Sequence, residues 1–271
     1  NRSQLSDVCV DNKSIGGYNN PLLFKHQKTK TMKNLWMSIF TFSLLISTAA
    51  LSFSCEKTED EPGTSTISDE EALEIVSGAT MTASEGLTAE AVEMAYVADA
   101  VLEKGPSPLA CGETADSTFV REINLDRITG LYSNYLFWGL ECNDLDLPNS
   151  IFFGREMAGN YETARLISAD EAESDWDISS LLTGPNYIFN GQYERNGTQE
   201  SKVRDMRNFS SNVLIEVEDL NIDKGEKEIV SGIAQFTLTG NVNGEVDYSV
   251  TNTIMFLGEG TANVIINGNT Y

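Results

Sequence analysis

The sequence predicts a mainly β fold, an antiparallel meander forming either a sandwich or an open barrel, preceded by a short helical segment. Past residue 111 the apolar period shifts from helical towards two, most plainly where Val213, Ile215 and Val217 alternate with Leu214, Glu216 and Glu218. Turn-forming stretches at 221–225, 239–244 and 258–260 interrupt that alternation, and Asn243-Gly244 is a strong hairpin signal. Ahead of the β region, a segment of helical period ends at Gly105-Pro106.

The elements follow in order. Ser68-Asp69-Glu70-Glu71 matches a capping box, with Ser68 as N-cap and Glu71 at N3, and predicts a short helix to about Val76, stopped by Ser77-Gly78. A second helix is predicted over roughly 88–104, with Leu87, Ala91, Met94, Ala95, Ala98, Val101 and Leu102 on one face and Glu90, Glu93, Asp99 and Glu103 elsewhere. That face packs on its own domain or takes a partner; the acidic polar side does not suit an anionic bilayer. Strands are predicted at 119–124, 132–142, 150–153, 162–167 and 187–193, and the Ser/Asp/Glu-rich stretch 170–177 reads as a loop. Val230, Ala234, Phe236 and Leu238 share a face of a later strand, as do Val246, Tyr248, Val250, Ile254 and Phe256 of the next, and the pattern runs on to 264–266. No repeat period points to a solenoid or propeller. The domains read as 68–110, a helical lead, and 111–271, the β-rich domain.

The N-terminal quarter of the chain is of a different kind. Residues 1–31 are polar and irregular and run into Met32-Lys33-Asn34-Leu35, so they read as translated sequence upstream of a start, or as a long basic leader. No charge occurs from Leu35 to Ser54, a length that as a helix spans about 30 Å and could by itself cross a membrane. The run ends in Leu51-Ser52-Phe53-Ser54-Cys55, followed by Glu56-Lys57-Thr58-Glu59-Asp60-Glu61-Pro62-Gly63, which is not the Lys/Arg-rich flank of a stop-transfer segment. Residues 32–55 resemble a bacterial lipoprotein signal peptide of the Bacteroidota type. The resemblance implies cleavage after 32–54, lipid attachment at Cys55, and an outer-membrane protein that is surface-exposed or faces the periplasm. Residues 55–67 then form a flexible acidic tether.

The whole chain has 271 residues, with 18 Lys+Arg against 41 Asp+Glu and a formal net charge of −23. Six of those cations and two of those acids precede Cys55, which leaves 12 and 39, or −27, on the 217 residues from Cys55 onward. Nucleic-acid binding needs the opposite balance, and such a surface repels anionic lipid while keeping a domain soluble. His26, the one histidine, lies ahead of Met32. His-based triads and zinc sites are thereby excluded from the β-rich domain, and no dinucleotide, P-loop or G-x-S-x-G motif is present. Cys111 and Cys142 form an even pair in an exported chain and are expected to be a disulfide.

Three side-chain groups are candidates for function. Tyr132, Tyr135 and Trp138, with Phe137 among them and Tyr187, Phe189 and Tyr193 later, form a stacking platform for a sugar or else ordinary sheet core. Asp170, Glu171, Glu173, Asp175 and Asp177 offer hard oxygen ligands for calcium, but lack the EF-hand order, so a solvated loop is the plainer reading and no cofactor is expected. The stretch 141–146 is oxygen-rich in a weaker way. The function these features support is a lipid-anchored binding or structural module with an extracellular glycan or protein as ligand. The alternative is a carboxylate-dependent glycoside hydrolase, which needs two acids about 5 Å or 6.5–9.5 Å apart across an aromatic-lined cleft.

Overall fold

A computed structural model of the protein describes residues 67–102, 109–203 and 206–271; the expected signal segment, Cys55, nearly all of the expected tether, and residues 103–108 and 204–205 lie outside the described residues. Two helices come first, α1 (Asp69–Thr80) and α2 (Leu87–Leu102), joined through a 3₁₀ turn at Thr82–Ser84. Ten strands follow: β1 (Thr114–Leu125), β2 (Ile128–Cys142), β3 (Pro148–Thr163), β4 (Leu166–Ser179), β5 (Asn186–Ser201), β6 (Asn208–Asp223), β7 (Ile229–Val242), β8 (Val246–Gly258), β9 (Thr261–Ile266) and β10 (Asn269–Thr270).

Every strand pairs antiparallel with its neighbour in sequence, so the sheet order is simply β1 to β10. This is the expected meander, and it is open, because β1 and β10 end the sheet instead of meeting. One face of the sheet and the inner faces of both helices share a single apolar core. At about 4.8 Å per strand, ten strands laid flat measure on the order of 43 Å, four times a helix diameter. A sheet that brings β2 and β9 into one core with two short helices must therefore curl around them.

Both helices begin and pack for identifiable reasons. The Ser68 hydroxyl accepts from the Glu71 amide, and Glu71 Oε2 accepts from the Ser68 amide at 3.0 Å, which completes the capping box. α1 runs through Ser77-Gly78 to Thr80, past the expected stop. Gly78 is kept in the helix because a Cβ there would lie 2.3 Å from the Tyr161 hydroxyl, so its bareness serves packing and not termination. In α2, Leu87, Ala91, Met94, Ala95, Ala98 and Val101 are buried as the period predicts, and its small alanines let the helix lie close to the sheet.

The strands correct the sequence reading at three places. The stretch 170–177 is no loop: it is the middle of β4, whose residues alternate strictly between buried and exposed. The alternation hides because the inward set includes Ser168, Asp170 and Ser174. The single strand predicted at 162–167 is instead the end of β3, a turn at 164–165 and the start of β4, with Thr163 Oγ1 accepting from the Arg165 and Leu166 amides. In β7 Ile229 is buried and Val230 exposed, because register shifts between β6 and β7 displace that end of the strand. The expected turn at Asn243-Gly244 forms, with φ of 53° and 74° and the Glu245 amide donating to the Val242 carbonyl at 3.0 Å; both central residues are left-handed, as a type I′ turn demands, and Val242 pairs with Val246 across it.

Two covalent and steric constraints fix the first hairpins. Cys111 and Cys142 are bonded, with Cα atoms 5.5 Å apart, tying the chain ahead of β1 to the end of β2. Tyr132 lies flat across Gly159 of β3, where a Cβ would sit 2.3 Å from both the ring and the Leu131 carbonyl. Gly159→Ala is expected to cost about 1–3 kcal/mol by overpacking, read as a lower urea midpoint at unchanged slope. Reduction of the disulfide should remove about 3–4 kcal/mol in the chain-entropy description, measured by unfolding with and without reductant.

Candidate functional site

The polar chemistry of the domain divides between two faces of the sheet. On the inner face, arginines on alternate strands, β1 and β3, meet carboxylates of the helical lead. Arg155 of β3, buried, donates through a terminal nitrogen to Glu85 Oε2 at 2.9 Å, and its Nε donates to Asn134 Oδ1 at 2.9 Å. Arg121 of β1 reaches the same Glu85 carboxylate at 3.2 Å and Glu93 at 2.8 Å. Glu85 sits between the 3₁₀ turn and α2 with φ of 55°, a left-handed conformation that non-glycine residues seldom adopt. Its buried carboxylate is held by both arginines.

The same arrangement recurs along the helices. Arg207 binds Glu71 through two nitrogens, Arg165 Nε lies 2.5 Å from Glu74, and Lys227 Nζ lies 2.5 Å from Asp99. Arg195 of β5 is paired with Asp170 at 2.7 Å and donates to the carbonyls of Gly78 and Ser84, so it holds α1 and the 3₁₀ turn by their backbone. Lys224 is spent on the loop before β5, donating to the carbonyls of Ser180, Leu181, Thr183 and Gly184 at 2.6–3.2 Å.

Glu90 is the deepest acid of the seam. It accepts at Oε1 from Ser174 Oγ and from Trp176 Nε1 at 2.7 Å, while Oε2 is 3.7 Å from Arg155. Burial pushes its carboxyl above the ordinary range, against the pull of Arg155, Ser174 and Trp176. Glu71 moves the other way: burial opposes the charge, but hydrogen bonds from Arg207 and Ser68 outweigh it and bring its carboxyl below the ordinary range.

The outer face has no cation at all. Along the outward positions of β1 to β8 there is neither Lys nor Arg, while Glu156, Glu171, Glu173, Asp175, Asp177 and Glu194 crowd β3 to β5. Glu173 stands directly opposite Glu156 on one side and Glu194 on the other. Like charges in that position oppose pairing, and Asn212 offsets part of it by donating to Glu194. Phe137 lies over Gly154 and Phe152 over Gly139, where cross-strand rings cover the bare backbone.

The sequence candidates fall as follows. Tyr132 and Trp138 point inward and Tyr135 outward, since their separations in β2 mix odd and even. Tyr132 is fully buried, its hydroxyl held between Arg195 and Asp170; Trp138 stacks on Phe153 at 6.5 Å, and Tyr135 is exposed. The three therefore do not share one surface. Asp170 points inward to Arg195, whereas Glu171, Glu173, Asp175 and Asp177 point outward along one strand. Among the described residues no three acidic or cysteine side chains converge in a way that could hold a metal ion. Cys55 lies outside the described residues.

Two shallow grooves lie on the surface of the described residues. One, about 580 Å³, runs over small side chains such as Ala158, Ala169 and Ser210 beside Glu171 and Asn196. The other, about 500 Å³, lies between the β2–β3 turn and the loop after β4, lined by Asn143, Pro148, Ser150, Asp177 and Leu182. There Ser150 donates to Glu141 at 3.2 Å. Burial and the nearby Glu141 raise the Asp177 carboxyl, and Ser150 counters them. Neither groove is lined by an aromatic side chain.

The fold and these two faces define an open β-meander filled by its own helical lead. Comparison with protein-family models, curated proteins and solved structures finds no match.

Two predictions test the seam. Glu85→Gln leaves Arg155 without its closest anion in a buried setting and should cost about 3 kcal/mol, whereas Glu162→Gln, at the exposed pair with Lys202, should cost under about 1 kcal/mol; urea unfolding of both at pH 7 decides. In the second, a carboxyl raised in the folded state makes the native form bind the proton more tightly, so Glu90 favours folding at low pH and loses that contribution as pH rises from its unfolded value through its folded one. Glu71, lowered, contributes above its unfolded value and loses it as pH falls through the folded one. Unfolding between pH 3 and 8 should therefore show Glu90→Gln gaining on the wild type as pH rises, and Glu71→Gln closing on it as pH falls.

Proposed function

We propose that this chain is an envelope lipoprotein anchored through Cys55, whose β domain is a binding or structural module that meets cationic segments of other polypeptides with its outer face. The anchor rests on residues 32–55 and their resemblance to a lipoprotein signal. The observation that carries the module reading is the separation of charge: the described cations lie on the inner face or in the turns, most of them bound to the helical lead, while the charged side chains at the outward positions of β1 to β8 are all acids. A face built this way attracts positive segments, delivers no general acid in an aromatic cleft, and needs no cofactor. The glycan-hydrolase reading receives no comparable support, because neither groove combines aromatic walls with facing carboxylates.

Two measurements test the proposal. Expressed in a Bacteroidota host, the wild type should carry an acyl mass that Cys55→Ala lacks, and protease added to whole cells should digest it; an unmodified Cys55 sinks the anchor. For the face, an oligolysine peptide should bind the purified protein with an affinity that falls steeply between 50 and 200 mM salt. The triple variant Glu156→Gln, Glu173→Gln, Glu194→Gln should weaken that binding at least fivefold without loss of thermal stability. Equal binding by wild type and variant rejects the outer face as the contact surface.

A further inference from the structure

β1 is an edge of an unusual kind. It is twelve residues long, pairs with β2 over its whole length without a register shift, and among the described residues has no strand on its other side. Folded proteins blunt such edges with proline, bulges, lysine or brevity, because a free row of backbone donors and acceptors pairs with any compatible strand. β1 has none of these; an inward-pointing charge can also guard an edge, but the one on β1, Arg121, is already held by Glu85 and Glu93. Its most exposed apolar residue, Val120, is 66 % exposed at mid-strand.

The direction of the free groups follows from the register. Leu125 pairs with Ile128 across the two-residue turn Asp126-Arg127, which makes them a hydrogen-bonded pair. Bonding then alternates back along β1, so the odd-numbered residues bond to β2 and Thr118, Val120 and Glu122 turn their N–H and C=O groups to the open side.

We propose that this edge pairs with the same edge of a second copy of the chain, antiparallel and about a two-fold axis at Val120. With Val120 opposite its own copy, Thr118 faces Glu122 of the other chain, Asp116 faces Asn124, and on the inner face Phe119 faces Arg121. No charge meets its like. Moving the axis one residue to Phe119 sets Asp116 against Glu122, so charge selects the Val120 register among its neighbours. The contact joins two ten-stranded sheets into one and doubles the acidic outer face. It needs neither the anchor nor the cationic partner proposed above.

Cysteine pairing on the full-length protein reads out the register. Val120→Cys alone should form a disulfide-linked dimer under mild oxidation, since hydrogen-bonded pairs place Cα atoms about 5.5 Å apart, within disulfide reach. Thr118→Cys alone and Glu122→Cys alone should stay unlinked, yet crosslink to each other when the two differently tagged chains are mixed. Val120→Pro removes an edge donor but no bond to β2, so it should keep the wild-type melting temperature while light scattering shows the dimer lost. Since both copies are strongly acidic, the dimer fraction should rise severalfold from 50 to 500 mM salt. Absence of the Val120→Cys dimer, equal linking by all three cysteines, a dimer that survives Val120→Pro, or one that weakens with salt would each overturn the proposal.

Discussion

The pairing of sheet cations with carboxylates of the helical lead is the constraint on which the rest of the structure depends. Ten strands that pair only with their neighbours make a sheet with two free ends, and nothing in that topology says how tightly it should curl. The helices supply the missing boundary, and Arg121, Arg155, Arg165, Arg207 and Lys227 fix where they lie. The apolar contacts alone would not: α2 offers mostly alanines, which fit against many positions of a β surface. An arginine that must meet a carboxylate within about 3 Å leaves the helix little room to slide. Buried pairs add little net stability over an apolar alternative, but breaking one is costly. Their contribution here is therefore to position the helices.

That use of charge has a consequence for the other face. A chain with 41 acids and 18 cations cannot neutralise itself. Once the inner seam and the turns have drawn in the cations, the acids left over collect on the outward positions, even where Glu156, Glu173 and Glu194 must stand side by side. The acidic outer face and the ordered helical lead are two results of one distribution. A cation moved to the outer face would relieve crowding there while leaving an acid of the seam unpaired. Stability of the seam and availability of the outer face thus oppose each other.

Much of the fold was legible in the sequence because it rests on periods and short-range signals. The capping box at Ser68, the buried stripe of α2, the alternation after Asn212 and the Asn243-Gly244 turn are local patterns, and each has a local physical cause. The disulfide followed from an even cysteine count in a chain whose sequence reads as exported. What escaped was wherever a residue's environment is set from far along the chain. β4 looked like a loop because its buried face holds Ser168, Asp170 and Ser174, whose partners Gln199, Arg195 and Glu90 lie 31, 25 and 84 residues away. Gly78 looked like a helix stop because its reason, Tyr161, is on β3.

The candidate site was less legible for the same reason. The acids at 170–177 were visible as a cluster in sequence, but a strand deals successive residues to opposite faces, so a run of neighbours becomes two sets with opposite fates. Asp170 is consumed in the core while Glu171 reaches solvent. The aromatic residues of β2 divide likewise, since Tyr132 and Tyr135 are an odd number of residues apart. One signal for the inner seam was available: arginines at 121, 155 and 195 each fall at an alternate position whose strand neighbours two residues away are apolar or small on the same side, as Phe119 and Ile123 are for Arg121. A cation on the apolar face of a predicted strand asks for a buried anion; Asp170 of β4 answers Arg195, and among the described residues the other acids not committed to the sheet's outward positions or its turns are those of the helical lead.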